Sequence, residues 1–153
     1  MTELKSFHSG EVKKSVIIKA PKENVWEKIS KITELSWLNG VKKTVFKSKI
    51  KQGVGAIRKI TFDDGNVVEE IIVGWKNEEY FSYIATSGLP LRAYHATISL
   101  KPVDKMTSQV TWQSFLNSDE MTKTQFSEFY NFMSSFYKDS LGNLKSSLEH
   151  QEI

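Results

Sequence analysis

The sequence predicts an α+β fold in which a seven-stranded, curved antiparallel sheet wraps around one long C-terminal helix. Three observations support this prediction. Strand patterns follow one another with hairpin-sized connections through the middle of the chain. One more strand and two short helical patterns precede them, and a long amphipathic helix ends the chain. A sheet of this kind can curl away from its helix and leave an internal cavity.

The bulk properties predict one globular domain. With 153 residues, we expect a flexible N-terminus over residues 1–10 and a single domain over residues 11–150. Hydrophobic residues make up 39% and charged residues 25%, as is typical of soluble proteins. The net charge is +3, and the lysines are scattered, so a nucleic-acid partner is not expected. The absence of cysteine excludes thiol nucleophiles, disulfides and thiolate metal sites.

Other site classes are also disfavoured. No apolar stretch is long enough to cross a bilayer and no signal-peptide pattern is present, so we expect a cytoplasmic protein without stable membrane insertion. The three histidines have no partner at metal-ligand spacing, and His95 is predicted to lie on the surface. Gly53 and Gly55 lack the third glycine of a dinucleotide loop. We therefore expect no metal and no cofactor; the sequence leaves the oligomeric state open.

The first elements are a strand and two short helices. Residues 12–19 have a β-branched centre and are predicted to form the first strand. Pro21 suits the first turn of a helix, because its missing N–H costs nothing there, and Glu23 favours the positive end of the helix dipole. Residues 33–39 are predicted to form a second short helix that stops at Gly40.

The remaining elements are a meander and the long helix. Short connections predict antiparallel pairing of successive strands over residues 41–49, 54–62, 67–75, 79–86, 92–101 and 108–116. Asn117 with Glu120 is predicted to form the capping box of the helix. Its apolar stripe comprises Phe126, Phe129, Tyr130, Met133, Phe136, Tyr137, Leu141, Leu144 and Leu148. The stripe is predicted to pack on the sheet; whether part of it also faces a void stays open.

A series of weak motifs, in order, carries a family resemblance. They are Ala20-Pro21, Val25-Trp26, Gly53 to Arg58, Gly65, Val68 to Ile72, Tyr83, Gly88-Leu89-Pro90, Tyr94 and Thr111-Trp112. In these motifs the chain resembles the START/Bet v 1-like superfamily of helix-grip proteins (also called SRPBCC), and in particular its polyketide cyclase/dehydrase-like branch, over about residues 12–149. The resemblance implies a helix-grip fold with a cavity for a hydrophobic ligand, but it does not name the ligand.

The plant abscisic-acid receptors of the same superfamily are similar only in part. They share the pattern of Gly55 to Arg58 and of Glu70 to Ile72. Their Ser-Gly-Leu-Pro gate is replaced here by the tight turn of residues 63–66, and residues 87–90 lie one hairpin later, where the receptors have their second loop. Their lysine that meets the ligand carboxylate has no counterpart in register. The resemblance therefore implies the cavity and not a hormone-gated switch.

Strand pairing predicts an ion pair. If Phe62 and Asn66 flank a three-residue turn, Arg58 lies directly opposite Glu70, close enough for an ion pair. Alternation places Glu69 on the other face of the strand. Two interpretations stay open. The pair faces solvent on the convex side of the sheet, or it forms a polar anchor inside an apolar pocket.

The second interpretation predicts a set of ligand-binding residues. Residues 87–90 form either a simple hairpin loop or a flexible lip at the cavity mouth, opposed by Phe129 and Met133 of the helix. The complete predicted set is Arg58, Ile60, Phe62, Val68, Glu70, Ile72, Tyr83, Leu89, Leu91, Tyr94, Trp112, Phe129 and Met133.

Two classes of function fit this set. The first is binding of a small hydrophobic or amphipathic molecule, such as a lipid, isoprenoid, polyketide or aromatic compound. The second is a cyclase-, dehydrase- or hydrolase-type enzyme that uses the same cavity, with Glu70 as general base and Tyr94 as proton donor or oxyanion partner. Because the positive charge of Arg58 should lower the pKa of Glu70, the sequence favours binding.

Overall fold

The computed structural model describes residues 3–150 and has the predicted α+β helix-grip architecture. Its elements are β1 (Ser6–Ile18), α1 (Lys22–Ile29), β2 (Val41–Phe46), β3 (Ile57–Phe62), β4 (Val67–Lys76), β5 (Tyr80–Ser87), β6 (Ala93–Asp104), β7 (Thr107–Met121) and α2 (Lys123–Glu149). The strands form one seven-stranded sheet in the order β1-β7-β6-β5-β4-β3-β2, and all neighbours are antiparallel. The predicted fold class is therefore confirmed.

The core lies between the inner face of the sheet and the two helices. In β7 every second residue is buried from Ser108 to Ser118, which is the period-two alternation of a strand with one covered face. Tyr137, Leu141 and Leu144 form the buried stripe of α2, and α1 adds Val25 and other apolar residues to the same core. A register shift between Ile72 and Gly74 in β4 adds a local bend to the sheet. Neither described helix is long and apolar enough to cross a bilayer.

The start of β1 and the end of β7 extend further than predicted. Strand β1 begins at Ser6 and not at residue 12, and its first residues pair with the end of β7, with Ser9 opposite Asn117. Residues 6–10, which we predicted to be part of a flexible N-terminus, are thus paired in the sheet; Met1 and Thr2 lie outside the described residues. The predicted cap at Asn117 was wrong, because Thr122 caps α2 in a capping box with Gln125.

The second predicted short helix does not form. Residues 31–40 make consecutive turns, in which the Leu38 N–H donates to the Leu35 carbonyl at 2.9 Å. Leu35, Trp37 and Leu38 are all buried, and a continuous helix could not place residues two apart on one face. The segment is tied to α2, since the Asn39 N–H donates to Ser140 Oγ at 2.9 Å. These turns bring residues 35–40 over the open end of the sheet.

Candidate functional site

A cavity of about 450 Å³ lies between the inner face of the sheet, α2 and residues 35–40. The sheet contributes a wall of mostly apolar side chains, and α2 and the turns close the opposite side. The lining residues are Leu35, Trp37, Leu38, Asn39, Gly40, Arg58, Ile60, Phe62, Asp63, Asp64, Asn66, Val68, Glu70, Tyr83, Leu89, Tyr94, Ile98, Trp112, Phe132, Met133, Ser135, Phe136 and Asp139. The volume falls in the range of roughly 300–1,000 Å³ that is usual for small-molecule sites.

Arg58 and Glu70 form a buried ion pair in this wall. They are directly opposite each other on β3 and β4, as the turn geometry predicted. Arg58 Nε donates to Glu70 Oε1 at 3.0 Å, Nη2 lies 3.0 Å from the same oxygen, and Nη1 donates to the Ile32 carbonyl at 2.9 Å. The side chains are only 4% and 7% exposed, which rules out the solvent-facing alternative. Glu69 is paired with Lys59 in the same register and lies on the other face, as predicted.

Burial dominates the electrostatics of Glu70. Desolvation raises the pKa of its carboxyl, and the charge and hydrogen bonds of Arg58 oppose this effect without cancelling it. Arg58 lowers this pKa, as expected, but burial has the larger effect and the net shift is upward. The Arg58 guanidinium also lies 4.8 Å from the centre of the Tyr83 ring, a cation–π contact that helps to fix its position.

Three tyrosine hydroxyls continue the polar part of the site. Trp112 Nε1 donates to the Tyr83 hydroxyl at 3.0 Å, and the Tyr94 and Tyr137 hydroxyls are hydrogen-bonded to each other. Tyr137 stacks on Trp112 with ring centres 3.8 Å apart. Burial raises the pKa of Tyr83, Tyr94 and Tyr137. These hydroxyls therefore remain neutral near neutral pH and act as hydrogen-bonding groups.

The structure places most predicted site residues on the cavity wall. Those that line it are Arg58, Ile60, Phe62, Val68, Glu70, Tyr83, Leu89, Tyr94, Trp112 and Met133. Ile72, Leu91 and Phe129 do not line it. Ile72 is buried in the core one step beyond Glu70 on the same face of β4, while Leu91 and Phe129 are half-buried and pack against the core. His95 is exposed, as predicted.

The predicted set lacks several parts of the wall. They are residues 35–40, Asp63, Asp64 and Asn66 at the β3–β4 turn, Ile98 on β6, and Phe132, Ser135, Phe136 and Asp139 on α2. A helix was predicted over residues 33–39 with its stop at Gly40, although three large apolar side chains within four positions were a signal that the segment covers a core. On α2, Phe132 lies beside the predicted stripe and is 63% exposed at the mouth, and Asp139 follows the stripe residue Phe136 by three positions. Neither side chain could be assigned to the cavity without the angle of α2 to the sheet.

The mouth is formed where the β3–β4 turn meets the loop of residues 87–90. Asn66 Nδ2 donates to the Gly88 carbonyl at 3.3 Å, and Leu89 reaches the cavity. Gly88 has φ +98°, and a Cβ there would lie 1.9 Å from the Val67 carbonyl oxygen, so only glycine fits. Asp63 and Asp64 add exposed carboxylates to the mouth. Within residues 3–150, no group of histidine, aspartate and glutamate side chains is arranged to hold a metal ion.

A family profile described as polyketide cyclase / dehydrase and lipid transport matches residues 9–149. The chain belongs to this family. The match covers every strand and helix except the first residues of β1, so the cavity is built entirely from the part that defines the polyketide cyclase / dehydrase and lipid transport family. No curated protein matches the sequence.

Solved structures share the fold. XoxI from Bacillus cereus has a TM-score of 0.79 at 22% identity over 91% of this chain and 95% of that chain. A protein from Nitrosospira multiformis has a TM-score of 0.77 at 20% identity over 92% and 97%. Norcoclaurine synthase from Thalictrum flavum, in complex with dopamine and hydroxybenzaldehyde, has a TM-score of 0.71 at 18% identity over 97% and 91%. At these identities the similarity shows the Bet v 1-like fold alone.

Proposed function

We propose that the protein binds a small hydrophobic or amphipathic molecule, such as a lipid, isoprenoid, polyketide or aromatic compound, in the cavity between the sheet and α2. One observation carries the proposal. A cavity of about 450 Å³ is walled by aromatic and aliphatic side chains, and its wall contains a buried, hydrogen-bonded ion pair. Apolar walls with a few fixed polar groups are the usual composition of small-molecule sites.

The walls and the ion pair have different parts in this proposal. Contact with rings such as Trp112 and Phe136 supplies affinity through the burial of apolar surface. The Arg58–Glu70 pair orients the ligand in the cavity through hydrogen bonding. A buried ion pair adds little to stability, because desolvation offsets most of the attraction, so its place in a cavity wall is better explained by recognition of a ligand.

Native mass spectrometry of the protein purified from its own host tests the proposal. We expect a small-molecule adduct that is released by denaturation and identified by extraction. The variant Ile60→Trp puts a larger ring on the cavity wall, in space that the ligand would occupy, and should lose the adduct while it still folds. Val73→Trp is the matched control, because Val73 is 42% exposed outside the cavity, and it should keep the adduct. Protein that carries no adduct from any growth condition, or an adduct that Ile60→Trp retains, contradicts the proposal.

A second candidate function is catalysis on such a ligand in the same cavity. The observation that favours it is the raised pKa of Glu70, because a carboxylate with a raised pKa is a stronger general base. Tyr94 lies in the same wall as a neutral hydrogen-bond donor. If the protein is an enzyme, Glu70→Gln abolishes turnover of the extracted ligand and preserves its binding. If Glu70→Gln lowers affinity and no turnover exists in the parent protein, binding is the function.

A further inference from the structure

Only one oxygen of the Glu70 carboxylate is used inside the protein. Arg58 Nε and Nη2 both approach Oε1 at 3.0 Å, and none of the described residues donates a hydrogen bond to Oε2. Glu70 lines the cavity, and its side chain is 7% exposed. A carboxylate oxygen that faces the cavity without a protein donor can accept a hydrogen bond from a molecule in the cavity. The cavity wall therefore presents an acceptor that a ligand hydrogen can satisfy.

The charges around the cavity favour a donor without negative charge. The described residues that line it include four carboxylates, Glu70, Asp63, Asp64 and Asp139, and one guanidinium, Arg58, which is already paired. The chain as a whole carries a net charge of +3, so the excess of negative charge is local to the cavity. A cleft lined by one sign of charge concentrates the opposite sign and repels its own.

We infer, on the basis of the proposed function, that the ligand is a hydrophobic alcohol, phenol or amine that donates a hydrogen bond to Glu70 Oε2, and that hydrophobic acids are excluded. An acid would place a second carboxylate against Glu70 in a poorly solvated wall, and Arg58 cannot offset it because Glu70 already occupies two of its donors. Fatty acids therefore do not bind, although their chains would suit the apolar wall.

Four probes that share one ring system test this inference by isothermal titration calorimetry of the full chain. They are naphthylethanol, its methyl ether, naphthylethylamine and naphthylacetate. The alcohol and the amine should bind, because both donate a hydrogen bond. The ether has no donor, and we expect its affinity to be about tenfold lower than that of the alcohol. The acid should bind more weakly than the ether.

The variant Glu70→Gln gives a result that a merely structural role would not produce. Its amide oxygen can accept from Arg58, which leaves the amide nitrogen to face the cavity as a donor. The preference for the alcohol over the ether should then disappear, because both oxygens can accept from the amide nitrogen, and the acid should gain affinity. Loss of the carboxylate at Asp139 in Asp139→Asn should raise the affinity for the acid about two- to fivefold at low salt.

Asp104→Asn is the matched control. Asp104 is the last residue of β6, six residues along the strand from the lining residue Ile98, or roughly 20 Å at 3.3 Å per residue. It should leave all four affinities unchanged. Equal affinities for alcohol, ether and acid, or a preference that Glu70→Gln does not alter, overturn the inference and leave the proposed function standing. Failure of all four probes to bind contradicts the proposed function, and the inference fails with it.

Discussion

Removing one partner of the Arg58–Glu70 pair should lower the free energy of unfolding far more than removing both partners. The side chains are 4% and 7% exposed, so Glu70→Met leaves a buried guanidinium whose remaining described acceptor is the Ile32 carbonyl. An uncompensated charge of this kind costs about 3–5 kcal/mol of unfolding free energy. The double variant Arg58→Met/Glu70→Met replaces the pair by two apolar chains of similar length. We expect its stability to lie within about 1 kcal/mol of the parent protein or above it.

Urea unfolding followed by circular dichroism measures these differences in a double-mutant cycle. The exposed pair Lys76–Glu79 is a suitable control. Its N···O distance is also 3.0 Å, but its side chains are 62% and 56% exposed. The same cycle at that pair should give a coupling of at most about 1 kcal/mol. The two cycles therefore compare ion pairs of equal N···O distance at different burial.

Two results would refute this reasoning. If Glu70→Met alone costs less than about 1 kcal/mol, the pair is solvated and the cavity wall is not as described. If the double variant loses as much stability as the two single variants combined, the coupling energy is zero and the two side chains stabilise the fold independently of each other. In that case the position of Arg58 and Glu70 in the wall needs no ligand to explain it.

Two further predictions concern the mouth and pH. Gly88→Ala should destabilise the protein by more than about 2 kcal/mol in thermal unfolding, because its Cβ would meet the Val67 carbonyl. The control Gly65→Ala, at φ +89° with open space around it, should cost only the backbone strain of about 1–2 kcal/mol. Equal losses of stability in the two variants would contradict the close approach at Gly88. Because the folded-state pKa of Glu70 lies above its ordinary value of 4.5, its favourable contribution is complete below that value and is lost as pH rises through the folded value. The unfolding free energy of the parent protein minus that of Glu70→Gln should therefore fall as the pH rises above 4.5, and a flat or rising difference would contradict the raised pKa.

The register of the central strands could be predicted from the sequence because a tight turn determines it. Once residues 63–65 form the turn, Arg58 must face Glu70, and alternation then decides which residues share their face. The same alternation put Arg58, Ile60, Phe62, Val68 and Glu70 on one face, and all five line the cavity. It could not show how far along β4 the cavity extends, and Ile72 was therefore assigned to the cavity although it belongs to the core.

The errors at the two strand ends have one cause. The start of β1 and the end of β7 pair with each other, with Gly10 opposite Leu116, more than a hundred positions apart in the chain. Neither extension has a strong local signal, because each becomes a strand only when the other is present. The helix start was displaced for the same reason. Asn117 and Thr122 both begin capping patterns, and the pairing of Asn117 with Ser9 leaves Thr122 as the cap.

A crystal structure of the chain with naphthylethanol tests the central claim most directly. The account predicts the naphthyl ring inside the cavity, in contact with Trp112 and Phe136, with the hydroxyl within hydrogen-bonding distance of Glu70 Oε2. The Arg58–Glu70 bonds should remain in place. A probe bound on the outer surface, or a cavity that closes around Phe136 and excludes the ring at saturating concentration, would contradict the account.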